Sequence, residues 1–402
     1  MLHFTHGEFH ERLRRTKEKM VQEGIEVLVV TDPANMNYLS GYNGWSFYVH
    51  QALIVIIDEP QPLWIGREMD ANAAKVTSWL FHEHIIPYPD YYVNSNTTHP
   101  YDFIGNILKE IGQSKRVIGL EMDNYYFSAK CFQRLQKALP QAVFKDSTNL
   151  VNWVRIIKSD TEIEYMKRAG QIAVRAMKVG IEAIDVGVRE CDVAAKIFEA
   201  QIKGTPEFGG DYPAIVPLMP AGEHTSTPHI TWSDETYKPN TTVLIELAGC
   251  YQRYHAPLAR TVTIGEPEEK VKDLSEVVIE GMESALDVIK PGITCEEVER
   301  AWRKSIQKRG YQKESRIGYS VGLNYPPDWG EHTASLRPGD QTVLKPNMTF
   351  HMILGIWMDD YGVELSESFR VTETGYELLA SAPRKLFVKH AGKKLWPGGM
   401  GA

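Results

Sequence analysis

The sequence predicts two domains. An α/β domain spans residues 1–155, and an α+β domain over residues 156–388 has two similar halves related by a pseudo-two-fold. Three observations carry this expectation. Apolar strands and amphipathic helices alternate through the first part of the chain, the pattern of an α/β layer with a mostly parallel sheet. Ser159-Asp160-Thr161-Glu162 is a capping box, in which hydroxyl and carboxylate satisfy free backbone donors at the start of a new helix. Finally, Ile181–Val188 aligns with Leu286–Ile293, Gly187 falling on Gly292, and each is followed by an acidic amphipathic helix. A repeat of this long period implies two halves packed around a shared site.

The elements follow in order. Residues 8–23 read as a helix with Phe9, Leu13, Met20 and Val21 on one side and Gly24 as its stop. Val27–Val30 is a continuous apolar strand ending at Asp32-Pro33. Ala52–Ile57 and Leu63–Ile65 are strands around the Glu59-Pro60-Gln61-Pro62 turn. Val117–Leu120 is a further strand, and Ser128–Leu139 a helix stopped by Pro140. After the boundary, Ile163, Met166, Ala169, Ala173 and Met177 recur at helical spacing, and Thr294-Cys295-Glu296-Glu297 is a second capping box. Residues 389–402 read as a surface extension.

Length and composition narrow the function. With 402 residues there is room for two cores, and 43% apolar with 24% charged residues is the balance of a globular protein. A net charge of −8 disfavours nucleic acid and anionic membranes as partners. The N-terminus lacks the basic and apolar segments of a signal peptide, and no run is long enough to span a bilayer. Cys131, Cys191, Cys250 and Cys295 have no metal-type spacing, so reduced thiols in a cytoplasmic enzyme are expected.

Two features call for chemistry. Glu246 interrupts the apolar strand Val243-Leu244-Ile245-Glu246-Leu247-Ala248; a carboxylate there must be paired, protonated or catalytic, because burying an unpaired charge costs several kcal/mol. Tyr42, Trp45, Phe47 and Tyr48 cluster between Gly41 and His50, which fits either core packing or a cage for a flat cation.

The order Pro228-His229, Val243–Leu247 with its Glu246, Tyr251 to Arg260-Thr261 resembles the catalytic domain of the creatinase/methionine-aminopeptidase, or pita-bread, superfamily. The resemblance covers nearly the whole chain, including a creatinase-type N-terminal domain. Its peptidases bind two metals through five side chains, and those positions hold Glu246, Pro257, Tyr319, Ile353 and Ser366 here. Pro and Ile have no donor atom, and Tyr and Ser are poor ligands, so no metal and no other cofactor is expected. Tyr42–Gln51, Glu121–Ser128, Glu246–Gly249 with Arg253–Leu258, and Asn324–His332 most resemble the ectoine hydrolases, the metal-free family that opens a cyclic amidine.

That resemblance implies hydrolysis of ectoine or hydroxyectoine, small zwitterions, to an N-acetylated 2,4-diaminobutyrate. His229 would be the acid/base and Glu246 the nucleophile or the group directing water. Glu364, sharing a strand face with Ser366 and Ser368, would hold the amidinium. Trp45, Phe47 and Tyr48 would reach the site from the partner subunit of a homodimer. Tyr319 and His332 would also bind substrate, with His332, Arg316 and Arg253 as candidates for its carboxylate. A creatinase-like amidinohydrolase for another zwitterion, an Xaa-Pro dipeptidase and a catalytically dead binding module are the alternatives.

Overall fold

The computed structural model describes residues 2–390, and the chain divides into two compact units, Met1–Arg155 and Ile156–Ala402. In the first, α1 (His6–Glu23) starts where the Thr5 hydroxyl accepts the Glu8 N–H and ends on Gly24, left-handed at φ 65°. There follow β1 (Val27–Val30), α2 (Pro33–Ser40), β2 (Ala52–Ile56), β3 (Leu63–Arg67), α3 (Ala71–Thr77) and β4 (Ile85–Tyr88). The unit ends with α4 (Pro100–Glu110), β5 (Val117–Leu120), α5 (Ala129–Ala138), β6 (Val143–Asp146) and α6 (Leu150–Val154). The strands form one sheet in the order β4-β3-β2-β1-β5-β6. The expectation of a mostly parallel sheet needs one correction: β2 runs antiparallel to both β1 and β3. The short, proline-bearing link between β2 and β3 closes a hairpin and cannot carry a parallel crossover.

The second unit contains α7 (Asp160–Ala183), α8 (Glu190–Lys203), β7 (Thr242–Tyr251), β8 (Tyr254–Ile264), α9 (Glu269–Leu286) and α10 (Cys295–Gln307). Next come β9 (Gly318–Val321), β10 (Gly330–Ser335), β11 (Thr349–Trp357), β12 (Gly362–Val371), β13 (Tyr376–Leu378) and β14 (Phe387–Lys389). Two helices and a long hairpin occur twice, α7-α8 with β7-β8 and α9-α10 with β11-β12. Gly187 and Gly292, left-handed at φ 78° and 93°, make equivalent turns before α8 and α10. Both capping boxes, at Ser159 and Thr294, form.

Two sheets result, β14-β8-β7 and β10-β9-β11-β12-β13. One core packs α7 and α8 under β7 and β8, and the other packs α9 and α10 under β10, β11 and β12. β7 rides so close to α7 that a Cβ on Gly249 would sit 1.9 Å from the Ala169 carbonyl oxygen. Residue 389, expected to open a surface extension, instead closes β14, with Lys389 alongside Ile264 of β8. Residues 391–402 lie outside the described residues. Among the described residues no helix is long and apolar enough to cross a membrane.

Candidate active site

Glu246 sits midway along β7. Val243, Ile245 and Leu247 point into the α7-α8 core, so alternation turns Glu246 and Ala248 to the opposite face. The β7-β8 hairpin closes on Gln252-Arg253, both left-handed at φ 50° and 66°, as a two-residue turn matched to strand twist requires. From this turn bonded and non-bonded pairs alternate, so the N positions of Pro257 and Ala259 face away from β7. Proline at 257 therefore costs β7 no ladder bond.

That outer edge of β8 meets β12 through hydroxyls. Ser366 Oγ accepts the Ala259 N–H at 2.6 Å, and the Ser368 hydroxyl donates to the Pro257 carbonyl at 2.7 Å. The Thr261 hydroxyl donates to the Glu364 carbonyl at 2.8 Å and accepts the Glu364 N–H at 2.9 Å. This seam carries Glu364 to the face that bears Glu246.

Both carboxylates are buried, Glu246 4% and Glu364 1% exposed. Neither carboxylate oxygen of Glu364 has a hydrogen-bond partner among the described residues. Such a group calls for a cation or donor from outside, since an unmet buried charge is costly. Burial, then the charges of Glu364 and Asp328, hold the Glu246 carboxyl well above the usual carboxylate range, with Lys313 opposing. Burial also pushes Glu364 up to about 7, again opposed by Lys313. Glu367, on the same strand, is already committed to Arg260 at 2.7 Å in a fully buried pair.

Lys313 escaped the sequence analysis. Its ammonium donates to the Gly355 carbonyl at 2.7 Å and lies 4.5 Å from the Trp357 ring centre. Burial pulls it down to about 8, while Glu364 and Glu246 act to hold its proton. It stands in a polar stretch, Gln312–Arg316, with no motif to mark it.

The other expected residues are placed as follows. Tyr319, on β9, accepts the Trp329 indole N–H at 2.8 Å, and its upward shift, caused first by burial, includes the charge of Glu246. His332, left-handed at φ 56°, is largely exposed, with Nε2 2.7 Å from Asp328 Oδ2. Arg253 is fully buried between the rings of Tyr212 and Tyr325 and donates to the Tyr212 and Asn324 carbonyls. It fastens the hairpin turn rather than facing a ligand. His229 is exposed in the loop before β7. The neighbouring Ile230 carbonyl accepts from Met219 N–H, and Leu218 pairs with Glu246 through the backbone. Among the described residues no hydrogen bond or ion pair joins the His229 ring to either glutamate.

In the first unit the aromatic cluster divides. Tyr42 is core, 3% exposed, its hydroxyl 2.5 Å from Ser46 Oγ. Trp45 and Tyr48 are exposed by 57% and 68%, and Trp45 packs on Phe47 with ring centres 4.8 Å apart. One group of three metal-donor side chains, His50, His99 and Cys131, lies together within 4.8 Å. His99 Nδ1 accepts the Tyr101 N–H, and burial lowers this ring to about 4. The neutral ring thus carries its proton on Nε2, which is then a donor and offers no lone pair.

Residues 164–373 match metallopeptidase family M24, and residues 12–157 match the creatinase/prolidase N-terminal domain. The chain is 45% identical to the ectoine hydrolase of Halomonas elongata, over 96% of this chain and 99% of that protein. It is 48% identical to an uncharacterized hydrolase/peptidase of Sinorhizobium fredii, over 97% and 99% respectively. The prolidase of Thermococcus sibiricus shares the fold, with a TM-score of 0.82 at 22% identity, over 95% of this chain and 99% of that one.

Metallopeptidases imply a metal, but the residues here do not fit one. Pro257 offers only a carbonyl already bonded to Ser368, and Ile353 offers nothing. The Ser366 hydroxyl is held by Ala259 and His351, and the Tyr319 hydroxyl by Trp329 and His351. Of the five positions that bind metal in the resembling peptidases, only Glu246 keeps a carboxylate, too few for a metal pair. The chain nonetheless belongs to metallopeptidase family M24, with the N-terminal domain of the creatinases and prolidases.

Proposed function

We propose that this protein is a metal-independent hydrolase that opens the cyclic amidine of ectoine to N-acetyl-2,4-diaminobutyrate. The observation that carries the reading is the buried, unpartnered Glu364 carboxylate beside Glu246. A planar amidinium offers the positive charge and N–H donors that this pair lacks. The likeness to the Halomonas ectoine hydrolase over nearly the full chain supports the substrate.

In this reading Glu364 binds the amidinium and Glu246 attacks its carbon or directs water onto it. Water attack puts oxygen on that carbon and breaks one ring C–N bond, and the departing nitrogen takes a proton. His229 supplies that proton and later activates water, the work of a positioned general acid and base. His229 is exposed, and among the described residues no hydrogen bond ties its ring to either glutamate, so it is free to meet the substrate from the loop before β7. His229→Ala should lower kcat roughly 10²–10⁴-fold with the fold intact; a folded variant at wild-type turnover would release His229 from this role. The protein acts as a homodimer, with Trp45, Phe47 and Tyr48 of one subunit closing over the amidinium in the other's site.

The direct test is to strip the protein with chelator, verify metal content by elemental analysis, and follow ectoine by NMR. Ring opening at an undiminished rate is expected. Loss of activity restored by manganese or cobalt would overturn metal independence, and an unchanged ectoine spectrum would overturn the substrate.

A further inference from the structure

A chain of buried hydrogen bonds fixes the direction of one proton in this site. The fully buried Ser366 hydroxyl accepts the Ala259 N–H at 2.6 Å, and the acceptor within its reach among the described residues is His351 Nε2, at 2.8 Å. Ser366 must therefore donate to that nitrogen. Burial, then the charge of Arg316, lowers the His351 ring to about 3, so the imidazole is neutral. With Nε2 accepting, its single proton lies on Nδ1, 3.0 Å from Tyr319 Oη. Trp329 Nε1, which can only donate, reaches the same oxygen at 2.8 Å.

Tyr319 Oη thus accepts twice, and its own O–H is left over. It must donate, and it cannot accept from a ligand. An amidinium has only N–H donors and is the wrong partner. A carboxylate has only acceptors and is the right one. Arg316 stacks on the same ring at 4.4 Å; its charge also acts on Asp328, and its one side-chain hydrogen bond among the described residues is a long 3.4 Å contact to Ser335.

We propose that Tyr319 and Arg316 form an anion subsite that takes the carboxylate of the substrate, with His351 and Ser366 as positioning residues that hold the Tyr319 proton outward. This rests on the reading that the site accepts a small zwitterion, whose cation faces Glu246 and Glu364. It also assigns roles to Tyr319 and Ser366, which occupy two positions where the resembling peptidases carry metal ligands.

Two measurements on the full chain test it. Nitrogen-15 NMR of labelled histidines, with His351 assigned by loss of its signals in His351→Gln, should show a neutral ring protonated at Nδ1 from pH 6 to 9. An Nε2-protonated or charged ring would overturn the relay. Binding is then measured for ectoine and for 2-methyl-1,4,5,6-tetrahydropyrimidine, the same ring without its carboxylate. Tyr319→Phe should weaken ectoine about 10–100-fold, the worth of a hydrogen bond to a charged group, and leave the bare ring unchanged. Arg316→Gln, remote from the core, should act in the same direction if Tyr319→Phe folds poorly. Equal weakening of both ligands, or of neither, would overturn the subsite while leaving the substrate assignment standing. Failure of wild-type protein to bind either ligand would instead overturn the substrate assignment.

Discussion

Glu246→Gln is expected to reduce ectoine turnover by about 10⁴-fold or more, the scale seen when a nucleophile is removed from a working unit. The amide keeps the shape of the side chain but neither attacks carbon nor orients water. Because burial and neighbouring charge already hold the wild-type carboxyl well above its usual range, the variant should fold at least as well. A single-turnover assay separates the outcomes: a normal burst of ring opening followed by slow release would remove Glu246 from the chemical step. The same variant tests the shared site. Mixed with Trp45→Ala, Phe47→Ala subunits, it should regain activity, because some mixed dimers rebuild one complete site. No recovery after confirmed subunit exchange would return these aromatics to their own unit.

Glu364→Gln should cut kcat/KM for ectoine roughly 10²–10³-fold, the cost of removing one member of a buried charge pair. It should also stabilise the empty protein. Burial raises the Glu364 carboxyl from 4.5 to about 7, so the folded chain holds a proton that the unfolded chain releases between those values. Stability therefore falls as pH rises through that window, and the penalty is complete above it. Removing the charge should recover roughly 1–3 kcal/mol at pH 8 and raise Tm by roughly 2–10 °C. In the wild type, KM should climb as pH drops below about 7, since a protonated Glu364 cannot pair with the amidinium. A lower Tm for the variant, or KM independent of pH between 6 and 8, would remove Glu364 from cation binding.

Much of this site was legible because one rule, a charge inside an apolar strand, marks a residue from sequence alone. It singled out Glu246. The same rule applied to Thr349-Phe350-His351-Met352-Ile353 would have found His351, which the absence of a family motif concealed. Two-residue alternation grouped Glu364 with Ser366 and Ser368, and in the structure Glu367 turns instead to Arg260 while the charge of Glu364 acts on Glu246. Lys313 was not legible at all. Nothing local distinguishes it from the polar residues beside it, and only the folding of its segment over Trp357 and Gly355 makes it part of the site. The antiparallel placement of β2 was hidden for a similar reason, since strand periodicity carries no sign of direction.

The hydroxyl seam has a geometric consequence. Glu246 belongs to the first half of the repeat and Glu364 to the second, and Ser366, Ser368 and Thr261 join the halves where a strand ladder would otherwise run. The gap between the two acids is therefore gauged by three small side chains that need not contact substrate. Shortening or lengthening one of them would shift one acid against the other by a fraction of an ångström, with both hairpins preserved. A scaffold jointed in this way can be re-gauged for a wider or narrower ring by changes at its hinge line, leaving the reacting groups themselves in place.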